Sequence, residues 1–282
     1  MRQRPFSGKK ITRRKLRKAG PQPGRRKQPS AAQSVLVILE GGLLEAICAE
    51  PAVEALCRQL GNVSLTVASE CADVYVGHPG IHAIMYLEAD KQPAGFDRML
   101  TVPTGPAEAT AAERTAYAAA ALGVSLERMR PIIHLTSLDA IRAQRFRPGA
   151  CASRPVIALC LRQDAGPRWA SLCRTLEERW NTEFVLVSGA ADGLHVHHDL
   201  AGQLMPREAA AALTRCAMWL GDDPTYAALA GAVGVPGVFI SDRADAKDDA
   251  EMSVCPAGAS DQDIIETLGR LRPDPKPLNI SQ

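Results

Sequence analysis

The chain has 282 residues, 46% hydrophobic and 23% charged, with an aromatic content of only 4%. That composition supports one large or two ordinary globular domains and argues against base-stacking surfaces built on Phe and Tyr. The net charge of +2 conceals two regions, because residues 1–33 hold 12 Lys or Arg and no acid, leaving a net of −10 over residues 34–282. No apolar run approaches the ~18 residues of a membrane span, and none follows the N-terminus as a signal peptide would. Neither an integral membrane protein nor a Sec-exported one is expected, and a cytoplasmic protein is.

Residues 1–33 read as a disordered basic arm, densest at Arg13, Arg14, Lys15, Arg17 and Lys18. Such a run either solvates the chain or adheres to an anionic surface, lipid headgroup or nucleic acid. A twin-arginine export signal needs a hydrophobic segment after Arg14, and none is there. From Ser34 short apolar runs alternate with helical periodicity. Val35–Leu39 predicts a buried strand, about Leu43–Leu60 a helix, and Val63–Val67, Ile84–Leu87 and Met99–Val102 three more strands. An Ala-rich helix follows over about Ala107–Leu122, and the Pro/Gly-containing stretch 143–154 reads as a linker. The alternation then repeats. Pro155–Leu161, Phe184–Val187, Met218–Leu220 and Val238–Ile240 predict strands. Trp169–Trp180, Arg207–Cys216, Tyr226–Val233 and about Gln262–Leu271 predict helices. Strands continuous in Val, Ile and Leu indicate parallel sheets covered on both faces. Two such blocks imply two doubly wound, Rossmann-like α/β domains, over 34–145 and 154–275, with a cleft between them.

Eight cysteines (Cys48, Cys57, Cys71, Cys151, Cys160, Cys173, Cys216 and Cys255) show no CxxC spacing, so reduced thiols inside apolar runs are expected. In open parallel sheets ligands bind beyond the carboxyl ends of the strands, and that rule selects three segments. Glu40-Gly41-Gly42-Leu43-Leu44-Glu45 follows the first strand. Its glycines Gly41 and Gly42 allow close backbone approach, and Glu45 in the first helical turn suits a general base or equally complements the helix dipole. Gly221-Asp222-Asp223-Pro224-Thr225-Tyr226 joins a strand to a helix. Helix N–H groups and Thr225 suit a phosphate and a carboxylate suits ribose hydroxyls, but an Asp cap before Pro is also an ordinary helix start. In the loop 162–169, Arg162 and Arg168 are cations suited to a diphosphate. His195, His197 and His198 lack the spacing of a zinc helix, and no metal or other cofactor is expected.

Together these segments resemble the ADP-heptose:lipopolysaccharide heptosyltransferases, glycosyltransferase family 9, whose fold is GT-B. SVLVILEGGLLEAICAEP (Ser34–Pro51) resembles the family's opening strand and its GxxGDxxxxxP turn. VSLTVASECADVYVGHPGIHAIMYL (Val63–Leu87) looks like its next two strands, and Glu113–Leu135 is similar to the segment closing the first domain. Pro167-Arg168-Trp169, VLVSG (Val185–Gly189) and Leu200-Ala201-Gly202 fall in the family's order. GDDPTYAALAGAVGVP (Gly221–Pro236) is similar to the donor signature GNDSGPxHLAAALGxP.

The resemblance implies an inverting, metal-independent transfer from a nucleotide-diphosphate sugar, ADP-sugar favoured, to a saccharide or glycolipid acceptor. It implies Glu45 in the place of the family's Asp base and Asp223 in the place of the donor Asp, with Asp222 replacing an Asn. The sequence departs at Leu44 (family Gly), Pro167 (Lys) and Ala228 (His), and it lacks the acceptor segment of several tens of residues that family members carry between Val102 and Ala107. Those departures motivate a second reading, a non-catalytic relative serving as a binding or assembly module. The arm alone motivates a third, nucleic-acid association, which the acidic body opposes. For a transferase the same arm would hold the protein at anionic inner-membrane lipid.

Overall fold

The computed structural model describes residues 33–61, 63–87, 93–144, 154–162, 167–191, 193–243 and 252–271. The expected arm, the loop residues 163–166 and most of the expected linker lie outside the described residues. Four strands, β1 (Ser34–Leu39), β2 (Ser64–Ser69), β3 (Ala83–Tyr86) and β4 (Arg98–Val102), form one sheet in the order β3-β2-β1-β4. Six more, β5 (Val156–Cys160), β6 (Glu183–Ser188), β7 (His198–Asp199), β8 (Met218–Gly221), β9 (Gly237–Ser241) and β10 (Met252–Pro256), form a second in the order β10-β9-β8-β5-β6-β7. Every pairing is parallel. The apolar runs explain this, because the consecutive residues Val35, Leu36 and Val37 of β1 and Ile157, Ala158 and Leu159 of β5 are all inaccessible to water, as strands covered on both faces require.

Helices α1 (Leu43–Leu60), α2 (Ala111–Leu122) and α3 (Ser137–Gln144) belong to the first half; α4 (Pro167–Trp180), α5 (Pro206–Leu213), α6 (Pro224–Ala232) and α7 (Asp261–Leu271) belong to the second. Among the described residues no helix is long and apolar enough to cross a membrane. α1 packs on α2 and also on α6, which is why it buries residues on several faces, Ala46 to Val53 among them. Pro51 stands inside α1 and costs it one main-chain donor. One turn earlier, the buried Tyr75 hydroxyl donates to the Ala46 carbonyl at 2.7 Å.

Two expectations are corrected here. The Ala-rich helix begins at Ala111, four residues late, because Thr110 and Glu113 form a reciprocal cap: the Glu113 carboxylate accepts the Thr110 N–H at 2.7 Å and Thr110 Oγ1 accepts the Glu113 N–H at 3.2 Å. Ser137–Gln144 forms helix α3, which the apolar pattern did not mark and whose last two residues overlap the stretch 143–154 read as a linker; Thr136 and Asp139 cap it in the same way. The short strands β7 and β10 add edges to the second sheet that the apolar pattern did not mark.

Each sheet has one point where the strand order reverses, between β1 and β4 and between β5 and β8. The second is tight. A Cβ placed on Gly221 would lie 1.9 Å from the Cys160 carbonyl oxygen. Gly221→Ala must therefore part β8 from β5, and a loss of about 3 kcal/mol or more is expected from overpacking. A urea midpoint equal to wild type would show that the strands have room.

Candidate functional site

The first mouth lies at the β1–β4 reversal. The chain leaves β1 through Glu40, whose N–H donates to the Val102 carbonyl of β4 at 2.9 Å. It then turns at Gly41, whose φ of +95° and the 2.8 Å that would separate its Cβ from Glu45 Cγ both require glycine. Gly42 caps α1, and Glu45 Oε2 accepts the Gly42 N–H at 3.1 Å. The other carboxylate oxygen of Glu45 is paired with Arg114 of α2. Arg114 is 8% exposed and Glu45 19%. Arg114 also donates from Nε to Ala109 O at 3.1 Å and from Nη2 to Ala107 O at 2.8 Å, in the turn after β4. The charge pair thus joins α1 and α2, the helices that follow the two strands flanking the reversal. Sequence reasoning selected Glu45 and missed Arg114, which sits in the first turn of α2 with no local motif to mark it.

The second mouth lies at the β5–β8 reversal. A cavity of about 120 Å³ is lined there by Arg162, Arg168, Trp169, Leu172, Asp222 and Asp242, among others. Asp222 Oδ1 accepts the Arg162 N–H at 2.8 Å, and the exposed Arg162 guanidinium stands 3.9 Å from Asp242. Arg168 is placed differently. Its guanidinium donates to the carbonyls of Ala257 and Ala259 and lies 3.7 Å from Asp261, so it ties the start of α4 to the β10–α7 turn. At α6, Asp223 Oδ1 accepts the N–H groups of Thr225 at 2.9 Å and Tyr226 at 3.3 Å, while Pro224 occupies the first helical position. The ordinary helix start is therefore realised, and Asp223 fills the place where a phosphate oxygen would meet those two donors.

The fold sets these mouths side by side. Leu43 and Ile47 of α1 share an apolar cluster with Tyr226, Ala227 and Ala230 of α6. Beyond β9, Arg243 Nη2 lies 3.9 Å from Glu113 Oε2 at the start of α2. α1, which carries Glu45, therefore packs beside α6, whose first residues follow Asp222 and Asp223.

Two charge networks join the halves. Glu50, inside α1, receives both Arg128 Nη groups at 2.6 and 2.7 Å and the Ile132 N–H at 2.9 Å. Burial would raise its pKa, but its hydrogen bonds, from His78 and Arg128 foremost, pull it below the usual value. The segment so gripped continues across to α6, where Ile133 N–H meets Ala232 O at 3.1 Å and Arg130 Nε meets Gly231 O at 2.9 Å. A larger cavity of about 540 Å³, lined by Ile132, Leu135 and Val233, opens at this far end of α6, away from the strand ends. The second network centres on Arg207 of α5, which reaches Asp139, Val76 O and His134 O in the first half.

Two groups of His and Glu among the described residues could approach a metal ion, Glu50/His78/His134 and Glu177/His195/His197. In each, one imidazole spends Nδ1 on a backbone N–H: His78 on Gly80 and His197 on Phe184, both at 3.1 Å. The lone pair of that nitrogen is thereby engaged. Glu50 is in addition saturated by Arg128. The seven described cysteines are free, and burial pushes the thiols of Cys48 and Cys216 up to about 12.

No family model and no curated protein matches this sequence. Solved structures do match its fold. A glycosyl transferase family 9 protein from Veillonella parvula superposes with a TM-score of 0.63 at 14% identity, covering 86% of this chain and 90% of that one. The ADP-heptose lps heptosyltransferase II of E. coli gives 0.64 at 14% identity over 85% and 98%. E. coli heptosyltransferase WaaC, solved with ADP-2-deoxy-2-fluoro heptose, gives 0.57 at 13% identity over 84% and 99%. The architecture is therefore the GT-B fold of those transferases, as the sequence resemblance implied.

Proposed function

We propose that this chain is an inverting, metal-independent glycosyltransferase. It moves a heptose-like sugar from a nucleotide-diphosphate donor, an ADP-sugar in preference, to a saccharide or glycolipid acceptor. The observation that carries this reading is the placement of a pinned carboxylate, Glu45, at one strand-end mouth beside a second mouth with an open cation, Arg162. The second mouth takes the donor. Asp222 and Asp242 suit ribose hydroxyls there, and Arg162 faces the diphosphate. In the transfer, the acceptor oxygen forms a bond to the anomeric carbon as its proton passes to Glu45. The carbon–oxygen bond to the diphosphate breaks, and its electron pair departs with the leaving group, whose charge the second mouth offsets. The division into domains over 34–145 and 154–275 belongs to the same proposal, as does contact of the basic arm with anionic lipid.

Relatives of this fold are solved with ADP-sugars, WaaC among them, which sets the first experiment. Purified protein at physiological salt is titrated with ADP-heptose and with UDP- and GDP-sugars while its thermal unfolding is followed. A donor at a hundredfold excess over its Kd adds about 2.7 kcal/mol of apparent stability. A selective rise with ADP-heptose is expected. No rise with any of them removes the donor site and favours the non-catalytic reading.

A further inference from the structure

We infer that Arg114 is the positioning residue of the acceptor base. The inference rests on the transferase reading above. Glu45 has three rotatable side-chain bonds, and on an exposed helix start its carboxylate would sample several directions. Here both oxygens are held, one by the Gly42 N–H at 3.1 Å and the other by the Arg114 guanidinium. Each keeps a further lone pair for an incoming hydroxyl. Arg114 can hold this geometry because it is itself fixed. Two of its nitrogens are spent on Ala109 O and Ala107 O at 3.1 and 2.8 Å, and little of its side chain meets water. The carbonyl pair orients the planar fork, and the fork aims the carboxylate. The clamp reaches Glu45 from α2, anchored on the turn after β4, so the reacting group is set by the segments that follow both strands of the mouth. Arg114 touches no substrate in this arrangement and acts through Glu45.

A double-mutant cycle on the full-length chain tests this, with acceptor-dependent release of ADP from ADP-heptose in the presence of a lipopolysaccharide-core saccharide as the assay and ADP-induced thermal stabilisation as the check on the donor half. Arg114→Met is expected to lower kcat by about a hundredfold, the size of effect a misplaced reacting group gives, with KM for the donor unchanged. Arg114→Lys keeps the charge without the fork and should recover about tenfold of that loss. Added to Glu45→Gln, Arg114→Met should change kcat by less than about twofold, because the two residues act as a unit. Losses that multiply in the double variant, or wild-type kcat in Arg114→Lys and Arg114→Met alike, overturn the positioning role while leaving the transferase reading in place. A wild-type chain that neither binds nor turns over any of the nucleotide sugars overturns that reading, and this inference with it.

Discussion

Arg207→Met is expected to destabilise the fold by about 3–5 kcal/mol, the range for removing one partner of a buried ion pair. Arg207 and Asp139 are each only 7% exposed in their side chains. The guanidinium pairs with both Asp139 oxygens and also donates to Val76 O and His134 O at 2.8 Å and to Asp73 O at 3.3 Å. Methionine fills much of the same volume but leaves a buried carboxylate and three carbonyls short of a donor. Against a total stability of about 5–15 kcal/mol, that is a large share. Because α5 belongs to the second half and the partners to the first, the loss should appear as loosening between the halves. Amide exchange should quicken around 72–78 and 134–140 before it does in β1 or β5. The pair has an acid limit too. Burial would raise the Asp139 pKa, but the hydrogen bonds from Arg207 and Thr136 outweigh it and hold the carboxyl at about 2, below its usual 3.8. A depressed acid stabilises the fold above its unfolded pKa and loses that contribution as pH falls through the folded one. The gap between wild type and Arg207→Met in urea should thus narrow between about pH 4 and pH 2. A gap under about 1 kcal/mol at pH 7 would mean that water replaces the guanidinium without cost.

Legibility in the sequence followed from how local each signal was. α1 over Leu43–Leu60 and the strand core Val35–Leu39 were readable because their apolar runs are continuous and bounded by Gly41, Gly42 and Gly61. The starts of α2 and α3 lie in Thr110–Glu113 and Thr136–Asp139, two copies of one capping signature, whereas alanine content and the Pro/Gly-containing stretch 143–154 set the expected boundaries instead. β7 and β10 are edge strands whose residues alternate little, so nothing in their composition separates them from loop. At the site, the turns around Glu45 and Asp222 were legible because the parallel-sheet rule points to strand ends. What lay beyond reach was side-chain commitment. Arg162 and Arg168 look alike in the sequence, six residues apart. Both line the second mouth, and only packing spends the Arg168 guanidinium on the carbonyls of Ala257 and Ala259 while leaving that of Arg162 exposed. Arg114 and Arg207 find their carboxylates 69 and 68 residues away, a separation at which no spacing argument operates.

Glu45→Gln is expected to lower kcat by about 10²–10⁴, the contribution of a positioned general base, with donor affinity retained. The substitution separates the two roles open to this residue. As a helix cap, Glu45 receives only the Gly42 N–H, and a glutamine oxygen can accept the same bond, so a structural role predicts a modest fall in thermal stability and normal turnover. As a base, it must take a proton, which an amide cannot do. Loss of the negative charge also leaves Arg114 facing a neutral partner with little access to water, so some destabilisation is expected in either case. Stability alone therefore decides nothing, and turnover decides the question. Nucleotide binding is the internal control, because the proposed donor residues, Arg162, Asp222 and Asp242, line the cavity after β5, β8 and β9 and none of them is on α1. Glu45→Asp refines the test. Aspartate restores a carboxylate of the kind the related turn carries, but one methylene shorter, drawn back from the Arg114 fork. Partial recovery of kcat, short of wild type, would show that both the charge and its reach matter. Full activity in Glu45→Gln would remove Glu45 as the base and with it the mechanism built on the first mouth.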